Sequence, residues 1–138
     1  MKLLILLDSS LIVAYSNRAD ENHAKAKQVV EDVAKGRYGT PVITDYVFDE
    51  VVTVMLARTR SLARATKLGE TLLEATQLIR IDEDLFDAAW VIFRQQRKNK
   101  FSFTDCTSIA MCRANGISNM ATFDGDFAEL DDVNAIGP

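Results

Sequence analysis

Lys2-Leu3-Leu4-Ile5-Leu6-Leu7-Asp8 is the stretch that decides the fold of this chain. Unbroken apolar side chains do not suit a strand with one wet face, where apolar and polar residues alternate. They suit a strand covered on both sides, as in a parallel sheet layered by helices. With Lys2 in front, the run superficially resembles a secretory leader. It is too short for a signal core and far too short to span a bilayer, so no membrane association is expected.

Outward from this strand, short apolar runs alternate with longer segments of helical spacing. A short helix is predicted over Ser9 to Tyr15, and a longer one over Glu21 to Ala34, ended by Lys35-Gly36. Gly39-Thr40-Pro41-Val42-Ile43 reads as turn, then strand; Thr44 or Asp45 caps the helix that follows, to about Ala57. Ser61 to Ala75 carries Leu62, Ala65, Leu68, Leu72 and Leu73 at helical spacing. A strand over Gln77 to Ile81 precedes a helix capped by Asp82 and running through Phe93. Ser102 or Thr104 caps another, to about Ala114, which Asn115-Gly116 stops; Ile117 to Phe123 returns to strand, and Val133 to Ile136 adds an edge strand. Right-handed crossovers in such a chain bring the C-terminal ends of all strands to one edge, where open α/β sheets bind ligands.

At 138 residues, 48% hydrophobic and 26% charged, the sequence is that of a single globular domain, 1–138, with an ordinary core. The formal charge of -4 argues against global polyanion binding but leaves room for local basic patches. Cys106 and Cys112 stand six apart in a predicted helix, which turns them roughly 120° from one another. They suit neither a mutual disulfide nor a zinc site, and read as small buried residues of a reducing cytoplasm.

Asp8, Glu50, Asp105 and Asp124 all fall where an apolar segment meets a turn or a helix start. Each has an ordinary explanation. Asp8 can cap the next helix, Asp105 can form a capping box with Ser102, Asp124-Gly125 is an everyday turn, and Glu50 lies on a less apolar arc. Their joint placement at one sheet edge points instead to a cation site assembled by folding. Hard divalent ions prefer carboxylate oxygens, and magnesium takes only one or two directly, so these acids can serve one or two ions. Such a site suits phosphodiester cleavage. Without metal the cluster repels itself and holds at least one proton above the usual pKa. His23, the only histidine, reads as a surface residue in a polar helix, and no Ser-His-Asp set or glycine-rich nucleotide cradle can be assembled.

Four segments in this order resemble the PIN-domain family, most closely the small single-domain nucleases typified by VapC-type toxins. They are Leu6-Leu7-Asp8-Ser9-Ser10, Val47-Phe48-Asp49-Glu50-Val51-Val52, Phe103-Thr104-Asp105-Cys106, and Ala121-Thr122-Phe123-Asp124-Gly125-Asp126-Phe127. The resemblance covers nearly the whole chain. It implies a three-layer α/β/α fold with a central, mainly parallel sheet of four to five strands. It also implies a Mg2+- or Mn2+-dependent endoribonuclease, a homodimer and, for toxin members, a small antitoxin partner. Asp8, Glu50, Asp105 and Asp124 match the family's acidic positions, with Asp49 next to Glu50 and Asp126 next to Asp124 as alternatives. Ser10 matches a small hydroxyl beside the first acid; Thr104 and Asp126 are further supporting candidates.

RNA must still reach an acidic site. Arg94, Arg97, Lys98 and Lys100 precede the Asp105 helix and are the best candidates for phosphate attraction, with Arg58, Arg60, Arg64 and Lys67 a second cluster. Two other functions fit less of the pattern. An unpaired PIN-type RNA-processing nuclease would share the site. A receiver-like regulatory module would show an acidic pair after its first strand and a late lysine, where this chain has Ser9-Ser10 and Thr122-Phe123-Asp124. Apolar Val47, Val51, Val54 and Met55 form a surplus on one helix that suits either a dimer face or deep core.

Overall fold

The computed structural model describes residues 2–98 and 100–138. Its elements are β1 (Leu4–Leu7), α1 (Ser9–Ser16), α2 (His23–Ala34), β2 (Thr40–Thr44), α3 (Asp45–Thr59), α4 (Leu62–Ala75) and β3 (Gln77–Ile79), then α5 (Glu83–Arg94), α6 (Phe103–Ala114), β4 (Asn119–Ala121), a 3-10 turn at Gly125–Glu129, and β5 (Asn134–Ile136). The sheet runs β3-β2-β1-β4-β5, and each neighbouring pair is parallel. The expected architecture is therefore present, with five strands and no antiparallel edge among the described residues. The order also separates this fold from receiver modules, whose flavodoxin-like sheet runs 2-1-3-4-5.

The opening apolar run explains the layering. Ile5 and Leu7 face a core shared with α1, α2, α3 and α4, including Leu11, Val29, Val47 and Leu72. Leu6 points the other way, into a core with Ile109, Met111, Met120 and Phe127. Because successive strand side chains alternate faces, a strand buried on both sides needs apolar residues throughout. Burying one such leucine is worth about 1.5–3 kcal/mol.

Caps follow the chemistry read from the chain. Thr44, Ser61, Asp82 and Ser102 each accept a backbone N–H at the start of their helix. Of the paired alternatives, Thr44 and Ser102 are the caps. The strand expected over Ile117 to Phe123 contracts to Asn119–Ala121. Ile117 is a buried core residue following Gly116, whose φ is +63°. His23 is not a free surface residue: its Nδ1 lies 3.0 Å from the Ala14 carbonyl, tying α2 to α1. Val47 and Val51 are core, which settles that part of the apolar surplus. Among the described residues no helix is long and apolar enough to cross a membrane.

Candidate active site

The order in which successive strands are added reverses between β1 and β4, while all strands stay parallel. From β1 the sheet grows outward through β2 and β3, then resumes on the other side through β4 and β5. Crevices at such switch points, beyond the strand C-termini, are where open α/β sheets bind ligands. Asp8 leaves β1 at this point, its backbone N–H bonded to the Ala121 carbonyl at 2.9 Å.

Asp8 is only 3% exposed, yet its side chain makes no helix-capping bond to α1. The backbone N–H groups of Ser9 and Ser10 at the start of α1 favour its charge, but capping does not account for the rest of its surroundings. Two hydroxyls converge on its Oδ2: Ser10 Oγ donates at 2.6 Å and Thr122 Oγ1 at 2.7 Å. Each hydroxyl in turn accepts a backbone N–H, Ser10 from Phe123 and Thr122 from Asp124, both at 2.9 Å. Every proton in this relay points toward Asp8, an arrangement matched to a carboxylate. Burial nevertheless raises the Asp8 pKa, opposed by the bonds from Ser10 and Thr122.

Asp105 sits at the third position of α6 in the expected capping box. Its Oδ2 accepts the Ser102 N–H at 3.0 Å, and Ser102 Oγ accepts the Asp105 N–H at 3.1 Å. This local role does not exhaust it. The Asp105 pKa is pushed up to about 6, by burial first, with the charges of Asp8 and Asp124 adding to the shift against the Ser102 bonds. The first, third and fourth acids thus share one electrostatic environment. Asp124 caps the 3-10 turn by accepting the Asp126 N–H at 2.9 Å. It, rather than Asp126, is the acid whose charge reaches Asp105; Asp126 instead contributes to the potential at Lys100.

Glu50 lies on α3, half-buried, while neighbouring Asp49 is exposed, so the helix turns Glu50 toward the protein. It is not among the charges that move Asp105. Thr104 uses its carbonyl to accept from Thr107 Oγ1 at 2.6 Å, and no hydrogen bond among the described residues joins its hydroxyl to the acids. Thr122 is the residue that reading the sequence passed over as a site member. A hydroxyl two positions before Asp124, near the end of a predicted strand, was the available signal; in the fold it is fully buried.

None of the ion pairs among the described residues involves Asp8, Asp105 or Asp124; these pairs are Arg37–Asp32, Lys100–Glu129 and Arg113–Asp132. Negative charge is therefore gathered without a protein cation. Nor do any three Asp, Glu, His or Cys side chains among the described residues stand close enough to enclose an ion. The donor set fits a hard divalent cation held by one or two carboxylates with water completing the shell, rather than an all-protein cage. Cys106 and Cys112 are free and buried. Burial pushes their thiols up to about 11 and about 12, so neither is a thiolate donor.

The family model described as PIN domain matches residues 5–133. The chain belongs to the PIN-domain family. This PIN domain is 28% identical over 127 residues to the 23S rRNA-specific endonuclease VapC20 of Mycobacterium tuberculosis, covering 91% of this chain and 92% of that protein. The crystal structure of VapC20, described as a sarcin-ricin loop cleaving toxin, superposes with a TM-score of 0.79, covering 94% of this chain and 98% of that one. At 19% identity and a TM-score of 0.67, a toxin–antitoxin complex from Klebsiella pneumoniae shares the fold over 94% of this PIN domain and 95% of its matched chain. VapBC2 from Rickettsia felis, bound to a promoter DNA fragment, shares it at 12% identity and a TM-score of 0.73, over 96% and 97% of the two chains.

The expected basic stretch is only partly exposed and unpaired among the described residues. Arg94, Arg97 and Lys98 are exposed, but Lys100 is paired with Glu129. Arg58 and Arg64 of the second cluster line a separate hollow of about 260 Å³ with Val13, Val51 and Leu68.

Proposed function

We propose that this PIN domain is a divalent-metal-dependent endoribonuclease and the toxin of a type II toxin–antitoxin pair, working in the cytoplasm with magnesium or manganese. One observation carries the reading. Asp8 is buried at the switch point, caps no helix, receives two hydroxyl donors, and shares its field with Asp105 and Asp124 without a protein counter-charge. The similarity to VapC20 over 91% of this chain supports an RNA substrate and the toxin role.

When bound, the ion supplies the Lewis acidity that phosphodiester hydrolysis needs. The chain supplies position. Ser10 and Thr122 fix one oxygen of Asp8, leaving the carboxylate unable to rotate away from the crevice. Asp105 is held at the N-terminus of α6, where the helix dipole favours its charged form against burial. Asp124, just beyond the C-terminal end of β4, is held by its own turn. Glu50, half-buried on α3, is the remaining candidate to orient water or substrate.

The test is cleavage of mixed RNA with EDTA, magnesium or manganese present. Cleavage in the metal arms and none with EDTA is expected; metal-independent cleavage, or none in any arm, overturns the reading. Coexpression with a neighbouring small reading frame separates toxin from unpaired nuclease: rescue of growth is expected for a toxin.

A further inference from the structure

The flank of α5 beside the acid site carries aromatic rings that the core does not use. Leu85, Ala89 and Ile92 pack α5 against Cys106 and Ala110 of α6. Phe86, Trp90 and Phe93, on the adjoining flank at spacings of four and three, remain 44%, 49% and 38% exposed. Their common partner is Phe103, at ring-centroid distances of 5.1, 6.4 and 6.1 Å. Phe103 is the first residue of α6, two before Asp105. On its other side it meets Tyr46, at 6.1 Å, which lies in the first turn of α3 one helical turn before Glu50. One ring therefore couples the exposed aromatics to both helices that carry candidate acids.

We propose that this platform stacks an unpaired nucleobase of the RNA substrate next to the phosphate to be cut, with Trp90 as the principal stacking surface; the proposal rests on the ribonuclease reading. Trp90 and Phe93 already stack on one another, 5.8 Å apart with 16° between planes, and both remain well exposed, so a base can extend an existing stack. Aromatic faces beside cations are the means by which proteins hold single-stranded nucleic acid. Here the cations follow directly, with Arg94 ending the helix and Arg97 and Lys98 beyond it. A hollow of about 420 Å³, lined by Phe93, Gln96, Lys100, Phe101 and Ser102, runs from the platform to the cap of the Asp105 helix. The opposite end of α5 bears Glu83, Asp84 and Asp87, which repel phosphate and place the backbone over the C-terminal half. A different surface has the aliphatic character suited to a protein partner: Leu56, Leu62 and Leu73, exposed beside the groove between α3 and α4.

Trp90 is the only tryptophan in the chain, so its fluorescence reports on this position alone. The experiment titrates an unstructured RNA oligonucleotide, and an abasic strand of equal length and charge, into wild-type protein in EDTA. Quenching by the RNA but not by the abasic strand is expected. The Trp90→Leu and Trp90→Phe variants hold no tryptophan, so their binding is read by the anisotropy of a fluorophore-labelled RNA. Trp90→Leu should weaken RNA binding about tenfold, in line with the loss of one base stack, and Trp90→Phe should restore most of it. Equal response to the abasic strand overturns the proposal. So does a Trp90→Leu variant that binds RNA normally, including one that does so while changing oligomeric mass. Because EDTA suppresses metal-dependent cleavage, absence of nuclease activity in the separate metal arms counts against the ribonuclease reading and leaves the stacking result distinct.

Discussion

Thr122 Oγ1 donates to Asp8 Oδ2 at 2.7 Å across a sequence separation of 114, joining the ends of the two strands that flank the switch point. The same oxygen of Thr122 accepts the Asp124 N–H, so one hydroxyl ties the first acid to the last. The site is held by this buried relay more than by any bond between the acids themselves.

Thr122→Val keeps the shape and removes both bonds. Hydrogen bonds to charged groups are worth about 1.5–3 kcal/mol, and Asp8 has little solvent to replace the loss. A fall in unfolding free energy of that size is expected by urea denaturation near neutral pH. Metal-dependent cleavage should fall with it, because Asp8 loses its fixed orientation.

Asp105 sets a pH dependence with a definite sign. Its folded-state pKa of about 6 lies above the ordinary 3.8, so between those values the native protein binds a proton that the unfolded chain releases. Metal-free protein should therefore gain stability as pH falls from about 7.5 to about 5, the raised Asp8 acting in the same direction. Asp105→Asn should flatten this trend and leave metal-free stability at neutral pH unchanged or higher. It should also abolish cleavage and the rise in melting temperature caused by manganese. Melting curves with EDTA and with manganese across this range check each part.

Gly137 is remote in sequence from Asp8, Glu50 and Asp105, yet an added Cβ there would lie 2.5 Å from the Thr122 carbonyl, at a φ of +128°. Gly137→Ala should cost about 1–3 kcal/mol of stability and lower cleavage by displacing Thr122. Gly36→Ala is the matched control, since φ is also positive, at +81°, but nothing lies within 4 Å. It should lose some stability and no activity.

Arg97 and Lys98 are exposed, whereas Lys100 is paired with Glu129. Replacing Arg97 and Lys98 with Ala should reduce the salt slope of RNA binding by roughly 0.7 for each phosphate that is no longer neutralised. Lys100→Ala should change the slope less. Binding isotherms over a range of potassium chloride concentrations measure this, and an unchanged slope in the double variant would assign these side chains to solvent.

Much of this arrangement was legible before folding. The run from Leu3 to Leu7 had to be a doubly covered strand, and caps such as Ser61, Asp82 and Ser102 marked helix starts by their own chemistry. Asp105 illustrates the limit: its capping box was readable locally, but its elevated pKa depends on Asp8 and Asp124, brought near by the sheet order. Strand order is set by long-range packing, which local periodicity does not encode. The Asp8–Thr122 bond, the Lys100–Glu129 pair and the gathering of three helices around Phe103 were hidden for that reason. His23 looked solvated because its helix is polar, yet a backbone carbonyl of α1 claims its ring. Gly125–Glu129 was missed as an element because five residues are too few to display a period.

The most direct measurement pairs manganese titration calorimetry with RNA cleavage for wild-type protein and Asp8→Asn. Asparagine retains an oxygen for Ser10 and Thr122 while deleting the buried charge, so the variant should fold. Wild-type protein is expected to bind manganese and cut RNA, and Asp8→Asn to do neither. An Asp8→Asn protein that cleaves RNA at the wild-type rate would contradict the account.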